Sequence, residues 1–125
     1  MTNETRILVA EDEPAIAKAL ELKLTHAGYK VELAADGEEA LEKLADGKFN
    51  LLLLDLIMPK KDGFGVLEAI QSGKHKVPVI VLTNLGQEED LERAKKLGAT
   101  DYFVKADTPI AEVVSHVEDK LTHAH

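Results

Sequence analysis

The sequence predicts an α/β domain built on a five-stranded, mostly parallel sheet, doubly wound with helices on both faces. Three observations predict it. Five short apolar runs alternate with five helical patterns along 125 residues. Several of the runs are continuously apolar, as in strands covered on both sides. No linker, repeat or low-complexity segment interrupts the alternation, and the length suits one compact domain. Residues 1–125 are therefore expected to form a single domain with no output domain attached.

The elements follow in order. Residues 6–10 form a first strand around Ile7-Leu8-Val9-Ala10, stopped by Glu11-Asp12-Glu13. Pro14 suits the first turn of a helix whose stripe is Ile16, Leu20, Leu24 and Ala27, with Gly28 as its stop. Residues 29–33 read as a second strand, Val31 and Leu33 alternating with Lys30 and Glu32. Asp36-Gly37-Glu38-Glu39 has the form of a capping box with Asp36 as cap, ahead of Ala40, Leu41 and Leu44 on a short helix ending near Gly47. Four leucines, residues 51–54, are closed by Asp55; despite leucine's helical propensity they read as a buried central strand, because turn signals bracket them too closely for a helix.

A loop through Met58-Pro59 and Asp62-Gly63 leads to a helix over about residues 64–71, with Leu67 and Ile70 inward. Residues 77–82 form a fourth strand ending at Thr83-Asn84. Leu91, Ala94 and Leu97 then mark a helix stopped at Gly98. Residues 101–104 form the last strand, ending at Lys105. The closing helix has Thr108 as cap, Pro109 at its first position, and Ile110, Val113, Val114, Val117 and Leu121 along one face.

Composition narrows the function. Apolar residues make up 45% of the chain and charged residues 30%, a globular balance. Fifteen Lys and Arg against 23 Asp and Glu leave a net charge of −8, which disfavours direct nucleic-acid binding and docking on anionic membranes. The absence of cysteine removes disulfides, thiol nucleophiles and thiolate metal sites. The start carries no leader pattern and no apolar run approaches a membrane span, so a cytoplasmic protein is expected.

In open α/β sheets chemistry sits beyond the carboxyl ends of the strands. Those ends carry Glu11 and Asp12 after the first strand, Asp55 after the third, Thr83 after the fourth and Lys105 after the fifth. Three carboxylates, a hydroxyl and an ammonium on one rim suit a hard divalent cation, with Lys105 balancing an anion. Asp55 follows four leucines at a buried edge, where an unpaired carboxylate is costly, so a cationic partner is expected. Glu13, just before Pro14, reads instead as a charge favoured at a helix N-terminus.

These residues resemble the receiver domain of bacterial two-component response regulators. The resemblance rests on Leu8-Val9-Ala10-Glu11-Asp12, on Leu53-Leu54-Asp55-Leu56-Ile57-Met58-Pro59 with Asp62-Gly63, on Val81-Leu82-Thr83, and on residues 98–105, Gly-Ala-Thr-Asp-Tyr-Phe-Val-Lys. The four motifs are in register over nearly the whole chain. The resemblance implies a flavodoxin-like sheet of strand order 2-1-3-4-5. It implies Asp55 as phosphoacceptor from the phosphohistidine of a sensor kinase or phosphotransfer protein, and Mg²⁺ held by Asp12, Asp55 and the Ile57 backbone carbonyl, with Glu11 reaching it through water. It further implies that Lys105 and Thr83 contact phosphoryl oxygens and that Tyr102 is an aromatic switch. The fourth helix, fifth strand and fifth helix would then present the surface for a downstream protein target or a phosphorylation-dependent homodimer. On this reading the chain is a stand-alone switch that catalyses only its own phosphorylation and dephosphorylation.

The sequence departs from the family at several places. Ala106 stands where the family usually has proline in a cis bond. A non-proline cis bond costs about 2.5 to 4 kcal/mol, so the 105–106 bond is expected trans and Lys105 aimed differently. Asn84 replaces a small residue and is expected to narrow access to the site. Ile57 and Leu85 are apolar and are expected to hinder an in-line water and so prolong the phosphoryl group. The rival readings are a phosphorylation-independent pseudo-receiver and a Mg²⁺-dependent phosphatase, which would need a second Asp where Ile57 stands. A flavin carrier of the same fold class is opposed by the acidic first loop. Of the histidines only His123-Ala124-His125 has even loose metal spacing, and it reads as a frayed end.

Overall fold

A computed structural model describes residues 5–73 and 76–122. The elements are β1 (Arg6–Ala10), α1 (Pro14–His26), β2 (Lys30–Ala34), α2 (Gly37–Asp46), β3 (Leu51–Leu54), α3 (Gly63–Ser72), β4 (Val79–Thr83), α4 (Glu88–Lys96), β5 (Asp101–Val104) and α5 (Ile110–Thr122), with a 3-10 turn at Lys105–Asp107. The five strands are all parallel and lie in the order β2-β1-β3-β4-β5.

Strand alternation divides the core in two. Leu8, Leu52, Leu54, Val79 and Val81 face one way and pack with Ala40 and Leu44 of α2, Phe64 and Leu67 of α3 and Ala94 of α4. Ile7, Val9, Leu51, Leu53, Ile80 and Leu82 face the other way, against Leu20 and Leu24 of α1 and Val113, Val114 and Val117 of α5. The leucine run therefore sends two side chains into each layer, which a helix of four residues could not do.

The boundaries differ from the sequence reading by one or two residues, each for a local reason. β2 runs one residue later, to Ala34, because the Ala34 carbonyl accepts from the Glu11 N–H beyond the end of β1. β4 starts at Val79 rather than residue 77: Pro78 has no N–H to give, and only its carbonyl joins the ladder, accepting from Leu52. On α1 Ala17 is buried alongside Leu20 and Leu24, while Ile16 is only partly buried and Ala27, the C-terminal cap, is exposed. α5 begins after Pro109, whose carbonyl accepts from the N–H groups of Glu112 and Val113. Asp36 caps α2 by accepting from the Glu39 N–H, and the Glu39 carboxylate reaches back to the Ala35 N–H, one residue beyond a strict capping box. Asp62 caps α3 in the same way through the Gly65 N–H, an N-cap that the loop reading of this stretch did not identify. His75 and the His123/His125 pair lie outside the described residues.

Leu53 is fully buried between β3 and the layer of α1 and α5, whereas Leu22 on α1 is 61% exposed. Leu53→Ala should lower the unfolding free energy in urea by about 2 to 5 kcal/mol, and Leu22→Ala should change it by less than about 0.5 kcal/mol.

Candidate functional site

The sheet reverses its winding between β1 and β3, and the two buried carboxylates sit just beyond these strands. The ladder itself places them: Glu11 donates its N–H to Ala34 across to β2, and Asp55 donates its N–H to Ala10 of β1, at 2.9 and 3.0 Å. Both side chains are buried. Their positive partner arrives from the far edge of the sheet. Lys105 follows β5, and its Nζ lies 2.8 Å from Glu11 Oε1, 3.0 Å from Asp55 Oδ2 and 3.0 Å from Glu13 Oε1. The remaining oxygens are also engaged: Glu11 Oε2 accepts from the Glu13 N–H and Asp55 Oδ1 from the Ile57 N–H, each at 3.1 Å.

The Lys105–Ala106 bond is trans, as are all peptide bonds among the described residues, in accord with the expectation for a non-proline residue. Lys105 stands at the start of the 3-10 turn, and its Nζ donates to Asp55 Oδ2. Glu13 requires a larger correction. It is the N-cap residue of α1 but its side chain makes no capping bond; its carboxylate instead completes the shell around Lys105. The third acid of Glu11-Asp12-Glu13 is the sequence signal for this contact.

Burial pushes the Glu11 carboxyl well above the usual carboxylate range. The Lys105 ammonium and the Glu13 N–H pull it back only in part, and the Asp55 charge adds to the rise. For Lys105 burial acts to lower the pKa, but the three carboxylates outweigh it and hold the ammonium above its usual value. Oxygens of Glu11, Asp12 and Asp55 all lie within 4.8 Å of one another, a set that could hold a metal ion. The fit is chemical as well as spatial. Carboxylate oxygens are what a hard divalent cation prefers, and the two buried acids already gather around a cation in the form of Lys105.

The place of Gly63, at the start of α3, is set by close approach. A Cβ on Gly63 would lie 2.4 Å from the Asp55 carbonyl oxygen and 2.6 Å from Leu56 Cα, so only glycine lets the first turn of α3 press against the backbone behind Asp55. Ile57 is half exposed and Asn84 exposed, both beside the rim.

Thr83 and Tyr102 form a second group. Thr83 is fully buried at the end of β4, and its Oγ accepts a long bond, 3.4 Å, from the Leu85 N–H. Tyr102 Oη donates to the carbonyl of that same Leu85 at 2.6 Å. The two side chains thus grip opposite ends of one residue in the loop between β4 and α4. Burial, with the Asp90 and Asp55 charges behind it, pushes the Tyr102 phenol up to about 12.

The sequence matches the response regulator receiver domain family over residues 7–118. Among curated proteins it is 44% identical to the probable transcriptional regulator ycf27 of Cyanophora paradoxa, over 86% of this chain and 44% of that protein. It is 39% identical to the transcriptional regulatory protein ResD of Bacillus subtilis, over 98% of this chain and 50% of that one. The chain therefore spans about half the length of the curated relatives it matches. Among solved structures, the receiver domain of the Francisella response regulator 1452 superposes with a TM-score of 0.90 at 28% identity, covering 98% of this chain and all of that one. A CheY-like receiver domain protein of Methanospirillum hungatei superposes at 0.89 and 28% identity, over 96% and 95% of the two chains.

The tyrosines offer a direct check on the second group. A Tyr102 pKa raised from 10 in the unfolded chain to about 12 means that its contribution to stability is complete below pH 10 and disappears as pH rises through 12. Phenolate absorbance should show a group ionising near pH 12 in the wild type that is missing from Tyr102→Phe, and wild-type stability should fall more steeply than the variant's between those values.

Proposed function

The chain belongs to the response regulator receiver domain family, and on that premise we propose that it is a phosphorylation-driven switch whose acceptor is Asp55. The observation that carries this reading is a buried Asp55 carboxylate held 3.0 Å from the Lys105 ammonium, with the Glu11 and Asp12 carboxylates beside it. An Asp55 oxygen attacks the phosphorus of a phosphohistidine on a sensor kinase or phosphotransfer protein. The O–P bond forms as the P–N bond breaks, and the imidazole keeps the bonding pair and takes up a proton.

Asp12, Asp55 and the Ile57 carbonyl would hold Mg²⁺, with Glu11 acting through water. Its chemistry is to offset the repulsion between two anions and to neutralise charge on the transferring oxygens. Lys105 pairs with one phosphoryl oxygen. Thr83 donates its hydroxyl to another, and in turning toward it loosens its hold on the Leu85 N–H. Because the Leu85 carbonyl holds Tyr102, a rearrangement at that residue reaches both the phosphoryl site and β5. The surface of α4, β5 and α5 then changes its affinity for a downstream protein or a second copy of the chain.

The net charge of −8 supports protein rather than nucleic-acid partners for these 125 residues. No described helix is long and apolar enough to cross a membrane. These 125 residues catalyse only their own phosphorylation and dephosphorylation, with no further substrate.

Intact-mass spectrometry after incubation with acetyl phosphate tests it. A phosphoryl adduct that requires Mg²⁺ and is lost in Asp55→Asn is the expected result. An adduct that persists in Asp55→Asn contradicts the assignment, and no adduct from either acetyl phosphate or phosphoramidate favours the pseudo-receiver.

A further inference from the structure

Lys105 and a divalent cation want the same oxygens. Of the three carboxylates bonded to the ammonium, Glu11 and Asp55 also belong to the group able to hold a metal, and both are buried. Glu13 does not belong to that group. It is half exposed, and it stands 3.0 Å from Nζ at the outer side of the cluster, next to Pro14 at the start of α1. Its placement is fixed from within the loop, since its own N–H donates to Glu11 Oε2.

A cation that draws on Glu11 and Asp55 must weaken their hold on Lys105. The lysine side chain is itself only 8% exposed, so an ammonium that lost those partners without replacement would be left buried and unpaired, a costly state. Glu13 removes that penalty. The ammonium can turn about Glu13 Oε1, release the two buried carboxylates and keep an anionic partner at the rim.

We propose that Glu13 is a positioning residue that receives Lys105 when a divalent cation takes Glu11 and Asp55, so that cation and lysine are held side by side instead of excluding one another. This rests on the receiver reading above. Glu13 shares the ammonium with two other carboxylates before the cation binds and is its principal partner afterwards, so the contact strengthens on loading. Removing it therefore weakens cation binding, and does so only through Lys105.

Calorimetric Mg²⁺ titration of the wild type, Glu13→Gln, Glu13→Asp, Lys105→Met and the Glu13→Gln/Lys105→Met double variant tests the proposal without relying on phosphorylation. Glu13→Gln should weaken Mg²⁺ binding roughly two- to fivefold, the range a partly exposed ion pair supplies. Glu13→Asp, which keeps the charge but shortens the reach, should weaken it comparably. In the Lys105→Met background the Glu13→Gln effect should disappear. The same loss with and without Lys105, or a Glu13→Asp variant that binds like the wild type, would show that Glu13 acts only as bulk negative charge and would overturn the proposal. An unchanged Mg²⁺ affinity in Glu13→Gln would overturn it as well. If the wild type binds no Mg²⁺ at all, the receiver reading fails together with the inference, an outcome distinct from the others.

Discussion

Two buried carboxylates close enough to share a metal ion repel one another strongly. At an effective dielectric of 20, unit charges about 4 Å apart interact by roughly 4 kcal/mol. The fold brings Glu11 and Asp55 together at the ends of neighbouring strands, so it must also bring a positive charge. Lys105 is that charge, and it arrives from the opposite edge of the sheet at 2.8 and 3.0 Å from the two acids. Much of the architecture follows from this requirement. β5 has to end beside β4 for Lys105 to reach inward, and the 3-10 turn has to bend the chain away at once.

The parallel sheet meets the requirement economically. Every strand ends on the same rim, so residues 11, 55 and 105 converge although as many as 94 positions separate them in sequence. Close packing lies directly behind the rim. Leu51 to Leu54 are anchored on both faces of the sheet, and the first turn of α3 presses on the Asp55 backbone through Gly63. Toward the β5 edge, Thr83 and Tyr102 meet on a single loop residue, Leu85.

Much of what could be read from the sequence is carried by local residue patterns. The leucine run, the stops at Gly28 and Gly98 and the alternation of elements identified the layers, because those signals are local and periodic. Asp55 stood out because a carboxylate after four buried leucines demands a partner. The strand order 2-1-3-4-5, now observed directly, was implied by the family resemblance and not by periodicity. Glu13 was not legible as a ligand of Lys105, since a glutamate ahead of Pro14 has an adequate local explanation and only the fold brings residue 105 to it. The close approach at Gly63 likewise leaves no trace in sequence, where Asp62-Gly63 reads only as part of a loop. The Tyr102 bond to Leu85 depends on how a loop folds back, which no pattern of residue types specifies.

The acidic rim requires a cation, and in this structure Lys105 is that cation. The most direct measurement is the unfolding free energy of the wild type and Lys105→Met, each with EDTA and with saturating Mg²⁺. Lys105→Met should lose about 3 kcal/mol in EDTA, as expected when one partner is removed from a buried pair, and should recover more on adding Mg²⁺ than the wild type gains. An equal gain from Mg²⁺ in both proteins, with no loss in EDTA, would contradict the account.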